Sequence, residues 1–236
     1  VSKIVFVDGP NGVGKDYFIG NLAKLLAENN KTFIIKSIKD YMPKDNPIIS
    51  IRQFSREFFK ASFFNTDVLD AHIDCVDNVI KIAEQEEYDY ILVNRSVVSY
   101  VVYNLLMPKI VMNMHGSIFE DIDKVTEEQY EEVDFGLVSI YSKLLKVKSK
   151  TYLFLLYDEL NEKQIIKRME DTRGIKFSDY EQLMLIQILN TFAMFYGPGI
   201  KQFHFFGKKN AIKSSEHELA YKLMSKDNRE TEQTFA

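Results

Sequence analysis

With 236 residues, the chain is long enough for one large domain or two small ones around a sizeable core. A net charge of −4 excludes a general basic field for nucleic acid, though not a local basic cleft, and 46% hydrophobic with 27% charged residues is ordinary for a compact enzyme. The single cysteine, Cys75, excludes an internal disulfide framework.

Lys3-Ile4-Val5-Phe6-Val7-Asp8 is a short apolar run that predicts a buried strand. Gly9-Pro10-Asn11-Gly12-Val13-Gly14-Lys15 follows, and Phe18, Ile19, Leu22, Leu25 and Leu26 then recur at helical spacing. Thr32 to Ile38 predicts a second strand, and Pro43 and Pro47 keep the next segment out of helix. Helices are expected over Ile51–Phe64 and Asp67–Glu84, a third strand over Tyr90–Val93, and a helix from Val97 to Leu106, stopped by Pro108. Lys109 to Val125 is the least regular stretch. Beyond it come a helix over Glu127–Val147, a fourth strand over Thr151–Leu156, and helices over Asn161–Glu170 and Ser178–Tyr196, the last stopped by Gly197-Pro198-Gly199. A fifth strand over Gln202–Phe206, a helix over Ser214–Met224 and a polar tail from Lys226 complete the chain. No apolar run approaches membrane-spanning length and the first residues read as a strand, which together point to the cytoplasm.

Strands alternating with helices predict a parallel sheet covered on both faces, with a ligand at the carboxyl ends of its strands. Three of those ends are polar: Asp8, Lys39-Asp40 and Asn94-Arg95. The first strand, the glycine loop and the helix opened by Lys15 fit G-x-x-x-x-G-K, in which backbone N–H groups turn inward around a phosphate. Lys15 then serves the outer phosphates as a mobile charge. An ordinary glycine-rich turn gives no reason for a lysine at a helix start, where the dipole disfavours a cation.

Three segments carry a family resemblance. Asp8 to Lys15 resembles the phosphate loop of thymidylate kinases and related deoxynucleoside kinases. Asn94-Arg95-Ser96-Val97-Val98-Ser99 through Tyr103-Asn104 is similar to the D-R-Y-x-x-S-x-x-A-Y-Q segment of the first and the E-R-S-x-x-S segment of the second. Arg168-Met169-Glu170-Asp171-Thr172-Arg173-Gly174 resembles their arginine-bearing lid. The resemblance spans nearly the whole chain. It implies a three-layer P-loop NTPase fold, α/β with a five-stranded parallel sheet, first strand central, in one kinase domain with a lid near residues 168–178.

The likeness implies ATP and Mg2+ as cofactors. It places ATP on Gly9, Asn11, Gly12, Val13, Gly14, Lys15, Asp16 and Tyr17, and makes Lys15, Arg95, Arg168 and Arg173 catalytic. Asp8, Asp40, His72, Arg95, Ser99, Tyr103 and Asn104 become the substrate-side candidates. Bland alternatives stand beside several of these: Asp40 as a turn residue, His72 as a satisfied helix histidine, Ser99 as a cap, Tyr103 as core. Asp16 departs from the usual Ser or Thr and is expected to bind the magnesium itself, with Asp16→Thr restoring the usual hydroxyl and keeping activity. Some viral deoxynucleotide kinases share this Asp, so a phage member is implied. Asn94 replaces the usual acid before Arg95. Three functions follow: phosphoryl transfer to a deoxynucleoside monophosphate, thymidylate or a modified pyrimidine analogue; transfer to a hydroxyl of a deoxynucleoside or of a modified base within DNA; or an inert nucleotide-binding subunit. The partners implied are a nucleoside or nucleotide or modified DNA, with no membrane; a homodimer is allowed, and the compartment is cytoplasm, the host's for a viral member.

Overall fold

β1 (Lys3–Asp8) is buried along its whole length. A strand covered on both faces belongs in the middle of a parallel sheet. It pairs with β3 (Tyr90–Asn94) on one side and β4 (Lys150–Asp158) on the other. β2 (Phe33–Ser37) lies outside β3, and β5 (Gln202–Phe205) outside β4. All pairings are parallel, and the order is β2-β3-β1-β4-β5. The structure is a computed structural model that describes residues 1–115, 125–158, 162–195, 202–205, 220–221 and 224–225. The expected stop at residues 197–199, most of the last helix and the polar tail lie outside the described residues.

The helices are α1 (Lys15–Glu28), α2 (Pro47–Ser50), α3 (Arg56–Ser62), α4 (Thr66–Gln85), α5 (Val97–Tyr100), α6 (Met107–His115), α7 (Glu127–Lys146), α8 (Glu162–Arg173) and α9 (Asp179–Ala193). Alternation along β1 assigns its two faces. Val5 and Val7 pack with Phe18, Leu22 and Leu26 of α1. Ile4 and Phe6 pack with Leu69 and Val76 of α4 and Val133 and Ile140 of α7. A third apolar cluster lies among α3, α6 and α9, where Phe59, Met107, Val111, Ile188 and Phe192 are buried.

Pro47 does not keep its segment out of helix: it opens α2, where its missing donor costs nothing and the Asn46 side chain accepts from Ile48 N–H. Two longer elements also differ from the sequence expectation. The helix expected over Ile51–Phe64 is only Arg56–Ser62. Phe54 takes a left-handed backbone with φ 73°, and the Ser55 side chain accepts from Phe58 N–H, so the helix starts after it. Pro108, by contrast, does not end its helix. A wide turn over Val101–Leu106 runs directly into α6. Proline cannot donate to the carbonyl of Asn104, four residues back, and the amide of Phe64 donates to that carbonyl instead, at 3.1 Å. The continuous helical run creates one window, Val97–Met114, of mean hydropathy 1.3 that is long enough to cross a membrane. The sequence reading had divided it at Pro108. Half of it is buried, as in a core helix, with Tyr100, Val102, Met107 and Val111 fully covered.

Phe154 of β4 is fully buried and meets Phe18 edge to face at 6.2 Å. Phe154→Ala is expected to lower stability by about 3–5 kcal/mol. The check is the urea midpoint at unchanged m-value; an unaltered midpoint would mean that the β1–β4–α1 packing is not what holds this face.

Candidate functional site

The site begins with a buried carboxylate. Asp8 ends β1 with no exposed surface. Its Oδ1 accepts from Gly9 N–H at 2.7 Å and from the Ser99 hydroxyl at 2.7 Å. Its Oδ2 accepts from Ser96 N–H, the Ser96 hydroxyl and Ser99 N–H, at 2.8, 2.7 and 3.0 Å. All five donors are internal, so Asp8 is a tie between the β1 end and the start of α5.

The loop after Asp8 depends on its glycines, all three of which have positive φ. A Cβ on Gly9 would lie 2.6 Å from the Leu156 carbonyl oxygen, and φ there is 143°. Gly14, just ahead of α1, is left-handed with φ 98°. Lys15 is 8% exposed, and its ammonium donates to the carbonyls of Gly9 and Pro10, both at 2.8 Å. Burial, aided by the nearby Arg95 charge, holds its pKa well below the usual lysine value, against the opposing pull of Asp8 and Asp16.

Arg95 follows β3 with φ 79°, a costly backbone for a side chain of its size. Its guanidinium donates to the Ser99 hydroxyl at 2.8 Å and to Asn11 Oδ1, and lies 5.3 Å from the centre of the Tyr103 ring. Arg168 of α8 donates to the Gly12 carbonyl, and Arg173 to Gln53 Oε1 at 3.3 Å. Arg95 and Arg173, like Lys15, are held by neutral oxygens in these bonds. An uncharged anchor fixes a cation in place and leaves its charge available to a ligand.

Two cavities meet here. The first, about 590 Å³, is lined by five cations, Lys15, Lys39, Arg95, Arg168 and Arg173, and by one carboxylate, Asp16. A chain of net charge −4 therefore concentrates positive charge at the carboxyl edge of its sheet. The second, about 420 Å³, is mostly apolar, with His72, Tyr103 and Asn104 in its wall. Asn11, Lys39, Gln53 and Arg95 line both. Among the described residues, no Asp or Glu lines the second cavity.

The structure thus brings Lys15, Asp16, Tyr17, Asn11, Gly12, Gly14, Arg95, Arg168 and Arg173 to one cavity and His72, Ser99, Tyr103 and Asn104 to its neighbour. Val13 is 2% exposed among core residues, so only its backbone is placed for a ligand. Asp40 lines neither cavity. Its carboxylate accepts from Ser37 N–H at 3.0 Å and caps the turn Ile38–Tyr41. Lys39, beside it, lines both cavities instead. Gln53 went unread because it lies in the stretch that periodicity assigned to helix.

Asp16 is tested as a metal ligand on its own surroundings. Its Oδ1 accepts from Asn94 Nδ2 at 2.7 Å, and the Oδ1 of Asn94 is buried without a partner among the described residues. Among the same residues no group of three or more His, Cys, Asp or Glu could hold a metal. One carboxylate beside an anion cavity nevertheless suits Mg2+, which keeps several waters and takes the rest of its ligands from substrate phosphates.

An α/β protein with a parallel sheet and a cation-lined cavity at its carboxyl edge is the class that fold and site define. No protein-family model matches the chain, and no curated protein matches it. Among solved structures it is similar to the tunicamycin resistance protein of Deinococcus radiodurans, over 94% of this chain and 96% of that one, at 10% identity and a TM-score of 0.47. A likeness of that size carries no argument about function.

His72 offers a pH test. It is 3% exposed, and burial, together with the Arg95 charge and against that of Asp8, takes its pKa from 6.5 down to about 4. The unfolded chain then binds more protons than the folded one between those values, so stability falls as pH falls through that window. Between about pH 7 and pH 5 the loss from this residue is expected to be about 2 kcal/mol. His72→Gln should flatten the urea-derived stability profile over that range by the same amount. A parallel profile would mean that His72 binds protons equally in the folded and unfolded chains.

Proposed function

We propose that the protein transfers the terminal phosphoryl group of ATP to the phosphate of a small nucleotide, a deoxynucleoside monophosphate. The phosphates of ATP occupy the larger cavity, under Lys15 and the loop amides, in the manner of a P-loop kinase. The acceptor's base occupies the apolar cavity beside Tyr103 and His72. Its phosphate sits at the junction, between Arg95 and Lys39.

The observation that carries this reading is the absence of a carboxylate from the second cavity among the described residues. A hydroxyl acceptor must lose a proton, and kinases that use one supply a carboxylate to take it. Asp8 is spent on five internal donors. His72, with a pKa near 4, is a poor base. A phosphate acceptor is already ionised at neutral pH and needs none. Its oxygen attacks the γ-phosphorus, the bond to the bridging oxygen breaks, and ADP leaves with the electron pair. Arg95, Arg168 and Arg173 then act on charge that spreads over the equatorial oxygens. Bound Mg2+, held by Asp16, would supply further charge neutralisation.

The test is ADP formation with ATP, Mg2+ and a panel of deoxynucleoside monophosphates, deoxynucleosides and DNA carrying modified pyrimidines. Turnover is expected with a monophosphate alone, and Lys15→Ala should lower kcat on the order of 10²-fold or more. Turnover confined to nucleosides or DNA would overturn the acceptor. No turnover with any of them would favour an inert subunit.

Asp16 and Asn94 belong together in this reading. As sequence departures they are two, a carboxylate for a hydroxyl and an amide for an acid. Across their 2.7 Å hydrogen bond they are one exchange, with acceptor and donor traded and a single negative charge kept. This revises the expectation for Asp16→Thr, which removes that charge and should raise the Mg2+ concentration needed for half-activity. Asn94→Asp alone sets two carboxylates against each other and should also impair the enzyme. The double variant should recover most of the loss, with a coupling of about 1–3 kcal/mol. Additive losses in the Mg2+ titration would show that the two side chains act separately.

A further inference from the structure

The apolar cavity has a wall that the proposed reaction leaves unused. Met42, Ile48, Ile49, Ile51 and Val68 line it, and none of them lines the cation cavity. Ile48 and Ile51 also pack against the apolar cluster among α3, α6 and α9. Ile49 differs. It is 58% exposed, and among the described residues it packs in none of the three clusters. A lone exposed isoleucine is ordinary, but one in the wall of an apolar cavity carries that apolar surface out to solvent.

That wall is held in place. α2, which carries Ile48 and Ile49, has four residues, too few to persist alone. The Asn46 side chain, 3% exposed, accepts from Ile48 N–H at 3.0 Å and donates to Asp67 Oδ2, in the first turn of α4, also at 3.0 Å. A buried amide thus fixes the short helix and, with it, the exposed isoleucine. Apolar surface that is fixed in advance and uncovered loses little conformational freedom when an apolar group covers it.

Polar groups of the same cavity constrain how a base lies in it. Nδ2 of Asn104 donates to the Ser62 carbonyl at 2.6 Å, so its Oδ1 is left as an acceptor. His72, with its pKa near 4, is neutral at pH 7 and offers one donor and one acceptor. A base turns its hydrogen-bonding edge toward such groups. In a pyrimidine, the one ring carbon that neither adjoins the sugar-bearing nitrogen nor carries a hydrogen-bonding group is C5, which is left to face the apolar wall.

We propose that the acceptor is a pyrimidine deoxynucleoside monophosphate whose C5 carries an apolar substituent longer than methyl, laid against Met42, Ile48 and Ile49. The proposal rests on the monophosphate reading above and adds the base and its substituent. A closed slot would limit the substituent to a methyl group. A wall that continues to a side chain 58% exposed sets no such limit.

Titration calorimetry of the full chain, without ATP, tests it with deoxyuridine monophosphate bearing hydrogen, methyl or n-propyl at C5. Each methylene laid on the wall is expected to tighten binding about two- to fourfold, so n-propyl should bind on the order of tenfold more tightly than methyl. Ile49→Gln, a swap of similar size at an exposed position, should reduce that ratio about threefold. Equal binding along the series would overturn the proposal, as would methyl bound best with n-propyl rejected, or a purine monophosphate bound more tightly than all three. A propyl preference that Ile49→Gln leaves intact would overturn the assignment to this wall. ADP formation with the same nucleotides is read separately. Propyl-dependent binding without transfer would support the substituent and overturn the reaction, whereas no binding by any monophosphate would overturn both.

Discussion

A carboxylate with no exposed surface organises the site. Asp8 is a unit charge set at the end of the central strand, where burial without partners would cost several kcal/mol. Five internal donors offset that cost, three of them backbone N–H groups that would otherwise be orphaned at the loop and at the start of α5. The same bonds fix Ser96 and Ser99, and Arg95 has no freedom left between Ser96 and the end of β3. Its own amide donates to the Val7 carbonyl at 2.9 Å. The left-handed backbone of Arg95 costs on the order of 1–3 kcal/mol and persists because these neighbours over-determine it. The position of the central guanidinium is thus set by the internal bonds of Asp8.

The sheet was legible because its strands are continuous apolar runs, and α1 because its apolar positions keep one period. The glycine loop was legible because its residue types and its place between strand and helix coincide. The internal ties of Asp8 were not legible for a physical reason: their donors lie 88 and 91 positions along the chain, and no local pattern reports such a bond. The cap made by Asp40 was not legible because a polar residue at a strand end serves equally as a ligand or as a cap. The register of the turn, with Ser37 three residues earlier, decided for the cap. The run through Pro108 depended on Phe64, whose amide takes the carbonyl that proline leaves. Tertiary structure supplied that donor, and the sequence pattern around Pro108 does not contain it.

The electrostatics of the larger cavity follow from how its cations are held. Carboxylate partners would cancel them pairwise and leave little field. Lys15 instead rests on two carbonyls, Arg95 on a hydroxyl and an amide oxygen, and Arg173 on an amide oxygen. The cost is visible at Lys15, whose burial and proximity to Arg95 disfavour its charged form. A polyanion in the cavity reverses that term, because it favours the charged ammonium that burial opposes. Energy spent in holding like charges together is therefore returned on binding, as expected of a preorganised anion site.

The two cavities are also coupled through three consecutive residues. Arg52 pairs with Glu181 of α9 at 2.5 Å and donates to the Lys176 carbonyl at 2.7 Å. Gln53 accepts from Arg173, and Phe54 meets Phe177 edge to face at 5.9 Å. One short segment that walls both cavities is thereby fastened to the turn between α8 and α9. Magnitudes rank the fasteners. The Arg52 side chain is 57% exposed but its Glu181 partner only 5%, so the pair is partly screened, while losing Arg52 would leave a buried carboxylate to Ser178 alone. The Gln53 bond is long and modest. Phe54 is fully buried, which is worth about 1.5–3 kcal/mol and outweighs the strain of its left-handed backbone only if the Phe177 contact is kept. The apolar contact and the ion pair together tie the turn after the arginine-bearing helix α8 to the segment that walls the apolar cavity.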